Sequence, residues 1–240
     1  MKKSVIKIVF ALVALVMMGA CSQKRVDVEK VVAEMKMPYT MLDGFTINSM
    51  SVNDSVIVAD CQITDEYVAE MFRNTDFMMV NLNYGTKSND FKAVRDAVME
   101  NNMKVAFVAK DAAGNEVNRV TMTADQMSGE LDKGMVTRAT AAAENASCPM
   151  DMDDGRKLIS AVAKGDDTVV YTMECGENYR RTDFVSIEET MKRAMINSMA
   201  PDVATKRERN ALGIYYKYIY KIGNDTLHTI TITPHDWLLY

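Results

Sequence analysis

The sequence predicts an α+β protein built from two tandem units. Each unit reads strand, strand, helix, strand, strand, with antiparallel sheets, and a short helix precedes the first. Three observations carry this. A set of landmarks recurs about 111 residues apart, apolar residues alternate with a period of two around turn dipeptides, and each half holds a segment of helical period.

The landmarks keep one order in both halves. Pro38, Asp43 and Gly44 recur as Pro149, Asp154 and Gly155, each displaced by 111 residues. Asp54-Ser55-Val56-Ile57-Val58 returns as Asp167-Thr168-Val169-Val170-Tyr171, and Thr75-Asp76-Phe77 as Thr182-Asp183-Phe184. Gly114-Asn115 is matched by Gly223-Asn224, and Val120 to Thr123 by Ile230 to Thr233. Single dipeptides recur by chance because Asp-Gly and Gly-Asn are common turns. Five landmarks in one order indicate duplication.

The elements follow in sequence. Val28 to Lys36 has the spacing of a short amphipathic helix. After the Asp43-Gly44 turn, Phe45 and Ile47 alternate with polar neighbours, Asn53-Asp54 turns the chain, and Val56 to Val58 is a short apolar strand. Phe91, Val94 and Val98 then share a helix face. In the second half Ser186 and Glu189 have capping-box spacing, Ile187, Met191, Met195 and Met199 form one stripe, and Pro201 stops the run. A second hairpin closes each half. Lys104 to Lys110 turns into Val117 to Thr123, and Tyr215 to Lys221 turns into Leu227 to Thr233. Thr123 and Thr233 are expected N-caps of a final helical turn, with Pro234 at the first position of the latter. Residues 128–148, rich in Gly and Ala, are expected to link the units, partly as helix. The divisions are therefore 1–20, 21–37, 38–127, 128–148 and 149–240.

The first 20 residues have a different character. Lys2, Lys3 and Lys7 precede an apolar run from Ile8 to Met18, well short of the roughly 20 residues that span a bilayer. Gly19 and Ala20 are small, and Cys21 follows directly. This arrangement resembles the signal of bacterial lipoproteins, in which the cysteine becomes the lipid-modified first residue. The resemblance implies cleavage after Ala20, anchoring through several acyl chains on Cys21, and a place in the cell envelope. Ser22 resembles the residue found in lipoproteins sorted to the outer membrane.

Charge narrows the partners. Three of the 28 Lys and Arg residues lie in the signal, so residues 21–240 carry 25 against 33 Asp and Glu, a net charge of −8. The one dense basic stretch, Lys206-Arg207-Glu208-Arg209, is broken by Glu208 and reads as a solvated helix face. Nucleic acid is therefore not an expected partner.

No G-x-S-x-G, H-E-x-x-H, phosphate loop or Rossmann glycine pattern occurs in the chain. His235 beside Asp236 is the one pair suggestive of a catalytic site, in an envelope enzyme of hydrolase type. The same residues are equally accounted for as the first turn of a helix. With Cys21 assigned to lipid, Cys61, Cys148 and Cys175 allow at most one disulfide, and their spacing fits no zinc site. Met35/Met37 and Met150/Met152 superficially suggest a soft-metal site and are read as core filler. Asp151, Asp153 and Asp154 lack calcium-loop spacing and read as an acidic turn. No metal or cofactor is expected.

Two further features mark surfaces. Tyr216, Tyr218 and Tyr220 share one strand face and form a candidate ligand face for a sugar or peptide, although Val105, Phe107 and Ala109 hold that parity in the first half and are core-type residues. Ser55, Thr168 and Thr226 each follow Asp and precede an apolar residue, which resembles an O-glycosylation acceptor of exported bacterial proteins. The expected function is a non-catalytic binding module on the membrane for an envelope protein, peptide or glycan. A purely structural envelope component is the neighbouring reading.

Overall fold

The computed structural model describes residues 26–152 and 154–240. The signal and Cys21 lie outside the described residues. The chain is α+β with two five-stranded sheets, as expected. Helix α1 (Val28–Glu34) leads into β1 (Tyr39–Leu42), β2 (Phe45–Asn53) and β3 (Val56–Ile63). Three helices follow, α2 (Glu66–Phe72), α3 (Thr75–Thr86) and α4 (Lys92–Glu100), then β4 (Lys104–Lys110), β5 (Glu116–Thr123) and α5 (Ala124–Ser128).

The second half repeats this order with a simpler crossover. Helix α6 (Lys133–Asn145) precedes β6 (Met150–Asp151), β7 (Lys157–Lys164) and β8 (Thr168–Glu174). Helices α7 (Arg181–Met199) and α8 (Val203–Leu212) cross over to β9 (Tyr215–Ile222), β10 (Asp225–Ile232) and α9 (Asp236–Leu239). The sheets are ordered β1-β2-β3-β4-β5 and β10-β9-β8-β7-β6, so each runs in chain order. The landmark turns also match, with Gly44 at φ 77° and Gly155 at φ 81°, a conformation glycine adopts without Cβ strain. Pro38 and Pro149 both follow cis peptide bonds.

Three expectations need correction. The sheets are not wholly antiparallel, because β3 pairs parallel with β4 and β8 with β9. A hairpin turn reverses the chain, whereas a helical crossover returns it to the same end. Each half also opens with an edge strand ahead of the Asp-Gly turn, β1 and β6, which the alternation did not reveal. Finally, α7 starts at Arg181, not at Ser186. The Arg180 backbone N–H donates to Asp183 Oδ2 at 2.7 Å, while Ser186 Oγ donates to the Asp183 carbonyl inside the helix, and Ile187 is 46% exposed. Pro201 does end the run, since a proline has no N–H to continue it.

Helices cover one face of each sheet. In the first unit Phe45, Phe72, Phe91 and Phe107 are fully enclosed, each contributing roughly 1.5–3 kcal/mol of burial. Residues 128–148 are more than a tether. Helix α6 buries Val136 and Ala141 in the second core, and Arg138 Nε donates to Asp76 Oδ2 of α3 at 2.6 Å. The Tyr67 and Ser147 hydroxyls, 2.6 Å apart, add a second link between the halves. Thr137 Oγ1 donates to the Asp166 carbonyl at 3.0 Å, fixing the turn between β7 and β8 against the same helix.

Candidate functional site: a methionine and tyrosine groove in the second unit

Strand alternation and parallel register build the floor of the site. Tyr216, Tyr218 and Tyr220 point to one face of β9, and the register sets Tyr171 opposite Tyr218 and Met173 opposite Tyr220. The Tyr171 and Tyr218 rings stack with centroids 4.5 Å apart and planes 7° from parallel. Helix α7 lies over them and presents Met191, Met195 and Met199 at four-residue spacing, one helical face. Edge strand β6 brings Met150 and Met152 to the mouth, 39% and 36% exposed. The space enclosed is about 450 Å³, within the range of small-ligand and peptide pockets. All six methionines from residue 149 onward line it.

The tyrosine face divides at this groove. Tyr218 and Tyr220 line it. Tyr216 is sealed beneath α8 and α9, edge-to-face with Trp237 at 5.6 Å, its hydroxyl accepting from Arg209 Nη1 at 3.1 Å. The Tyr218 hydroxyl donates to Met199 Sδ at 3.5 Å. Burial raises the pKa of Tyr171 and Tyr218 above the ordinary phenol value, so both hydroxyls stay protonated.

Two charged side chains reach the lining, and their surroundings differ. Arg156 Nε donates to Asp154 Oδ2 at 2.7 Å, and its guanidinium lies 5.4 Å from the centre of the Tyr220 ring. Glu144, in the last turn of α6, has no hydrogen bond or ion pair to its carboxylate among the described residues. Glu144 is exposed at the rim, where partial desolvation raises its pKa and the charge of Arg209 opposes the shift.

Among the described residues, the first unit is packed at the strand parity that floors this groove. Val105, Phe107 and Ala109, which occupy the parity of the three tyrosines, have no exposure. Met41, 111 positions before Met152, is packed directly on Gly85 of α3, where a Cβ would overlap its side chain. Met35 and Met37 likewise pack against the first core.

The remaining candidates do not assemble a site. Asp236 Oδ2 accepts from the Thr233 backbone N–H at 2.6 Å and the Asp236 N–H donates back to Thr233 Oγ1 at 3.4 Å, the reciprocal pair of a capping box. His235 is exposed and has no side-chain partner among the described residues. Ser55 and Thr226 are exposed beside hairpin turns, whereas Thr168 is half-buried with its hydroxyl donating to Asp167 Oδ1 at 2.9 Å. Cys61, Cys148 and Cys175 are free thiols. Burial, with Asp60 adding to it, pushes the Cys61 thiol up to about 12. Asp151 and Asp154 pair with Lys157 and Arg156.

Glu144 and Arg156 escaped the sequence reading. Glu144 lay in a stretch read as a linker, and Arg156 follows an ordinary turn, so neither carried a signal of its own. The α7 stripe was legible as a stripe, but core and groove have the same spacing.

No family model matches the chain, and no curated protein matches it. Two solved structures resemble 45% of it. One is a protein of Pseudomonas aeruginosa described as secreted, 14% identical with a TM-score of 0.35 over 99% of that chain. The other is a pilotin from the Vibrio vulnificus type 2 secretion system, 8% identical with a TM-score of 0.33 over 98% of that chain. Likeness at this level does not bear on what the present chain binds.

Proposed function

We propose that the chain is a non-catalytic binding module of the bacterial cell envelope, anchored through lipid on Cys21 at the outer membrane, with its ligand seated in the groove of the second unit. The groove carries the reading. It is open, lined by thioethers and aromatic rings, and floored by tyrosines at the strand parity that the first unit fills with Val105, Phe107 and Ala109. Methionine is flexible and polarisable, so a wall of half-exposed methionines accommodates apolar segments of varied shape. Duplication of one unit fits this division, with that strand face packed in one copy and opened for binding in the other. Among the described residues no helix is long and apolar enough to cross a membrane, which fits a body held by a tether.

An envelope enzyme using His235 and Asp236 draws less support, since Asp236 is occupied in capping. A glycan is a weaker candidate than an apolar segment of protein, because sugars need more polar partners than this lining offers.

Crosslinking in whole cells tests the reading. The lipidated chain is expected to capture a discrete envelope protein, and Met195→Lys, which places a charge inside the groove, is expected to abolish capture without unfolding the chain. Undiminished capture by a folded Met195→Lys chain would refute the groove as the ligand site.

A further inference from the structure

We infer that the occupant of the groove is an apolar peptide segment bearing one basic side chain, which pairs with Glu144 beside the stacked rings of Tyr171 and Tyr218. This rests on the groove being the ligand site and names the chemistry of what enters it.

The charges argue for a cation at one place. Of the two charged residues lining the groove, Arg156 is already neutralised by Asp154 and covered by the Tyr220 ring. Glu144 has no partner to its carboxylate among the described residues, and Arg209, whose charge it feels, is committed to the Tyr216 hydroxyl. Glu144 also stands in the last turn of α6, where the negative end of the helix dipole disfavours a carboxylate and attracts a cation. Two features therefore favour positive charge at the same corner. The rest of the lining is mainly thioether and ring, which suits leucine, methionine or aromatic side chains.

Other occupants meet opposition. An anionic lipid would bring its headgroup against Glu144. A neutral acyl chain offers that carboxylate no partner. A peptide with a Lys or Arg among apolar residues satisfies both parts of the lining.

The test is selection from a random dodecapeptide library on the full chain carrying Cys21→Ala, so that no detergent competes for the groove. Parallel selections use the same chain with Glu144→Gln, Glu144→Lys or Met195→Lys. Peptides enriched on the parent are expected to combine apolar residues with a Lys or Arg. Their affinity is expected to fall about threefold to fivefold on Glu144→Gln, in keeping with loss of a charge pair at the exposed rim. On Glu144→Lys the enriched peptides are expected to carry Asp or Glu instead. Enrichment that vanishes on Met195→Lys but shows no basic preference, or a preference indifferent to Glu144, overturns this inference and leaves the groove as a binding site. Enrichment indifferent to Met195→Lys overturns both. Native mass spectrometry of the chain showing a co-purified lipid or a second copy, either one displaced by Met195→Lys, also overturns the peptide assignment.

Discussion

Tyr171 and Tyr218 stack face to face on adjacent parallel strands, 4.5 Å apart, and form the floor on which the groove is built. Tyr171 is only 4% exposed, so its ring supports the sheet as well as the site. Tyr171→Ala is expected to cost about 3 kcal/mol, the usual loss for a large aromatic side chain cut to a methyl. Tyr218→Phe keeps the stack and loses only the 3.5 Å contact to Met199, so its cost is expected to be under about 1 kcal/mol. Urea unfolding of the two variants checks the contrast.

The seat of Met41 in the first unit depends on Gly85. Alanine inside a helix normally gains about 1 kcal/mol over glycine. Here the added methyl would collide with Met41, so Gly85→Ala is expected to destabilise by about 1–3 kcal/mol. In a Met41→Ala background the same change is expected to become neutral or stabilising. A double-mutant cycle by denaturant unfolding reads the reversal.

Arg138 joins the halves through an ion pair with Asp76 that is partly open to water. Arg138→Ala is expected to lower stability by about 0.5–1 kcal/mol at low ionic strength, and by less in 1 M salt, where screening weakens the pair. Unfolding midpoints of parent and variant at the two salt concentrations measure it.

Cys61 sets a limit at high pH. Its thiol is raised from about 9 to about 12 in the fold, so the folded state holds the proton more tightly than the unfolded state. The resulting stability is present below pH 9 and is lost as pH rises through this window, at up to about 1.4 kcal/mol per unit. Between pH 9 and 11 the parent is expected to lose stability more steeply than Cys61→Ala. In thiol labelling at pH 8, Cys148, the least buried of the three, is expected to react first and Cys61 only after unfolding.

Much of the fold was legible because its signals are local. Both closing hairpins, the first hairpin, the leading helix and the Met191, Met195, Met199 stripe all follow from alternation, helical spacing and turn residues. Helices α2 and α3 were not legible. In α3, Met78 and Leu82 enter the first core while Val80 packs against the second, so apolar residues are spread around the helix and no single stripe stands out. Strand β6 is too short to alternate. The groove could not be read from spacing, because Met191, Met195 and Met199 would show the same pattern packed solid. Only the assembled neighbours, with Glu144 arriving from a segment read as a linker, distinguish a lined opening from a filled core.

The most direct measurement places a photo-crosslinking residue at Met152, on the mouth of the groove, or at Val162, an exposed position of β7 outside it. Both are expressed in cells as the lipidated chain. A discrete adduct from position 152, lost on adding Met195→Lys and absent from position 162, is the result expected of a ligand groove. Equal adducts from both positions, or an adduct from 152 unaffected by Met195→Lys, would contradict it.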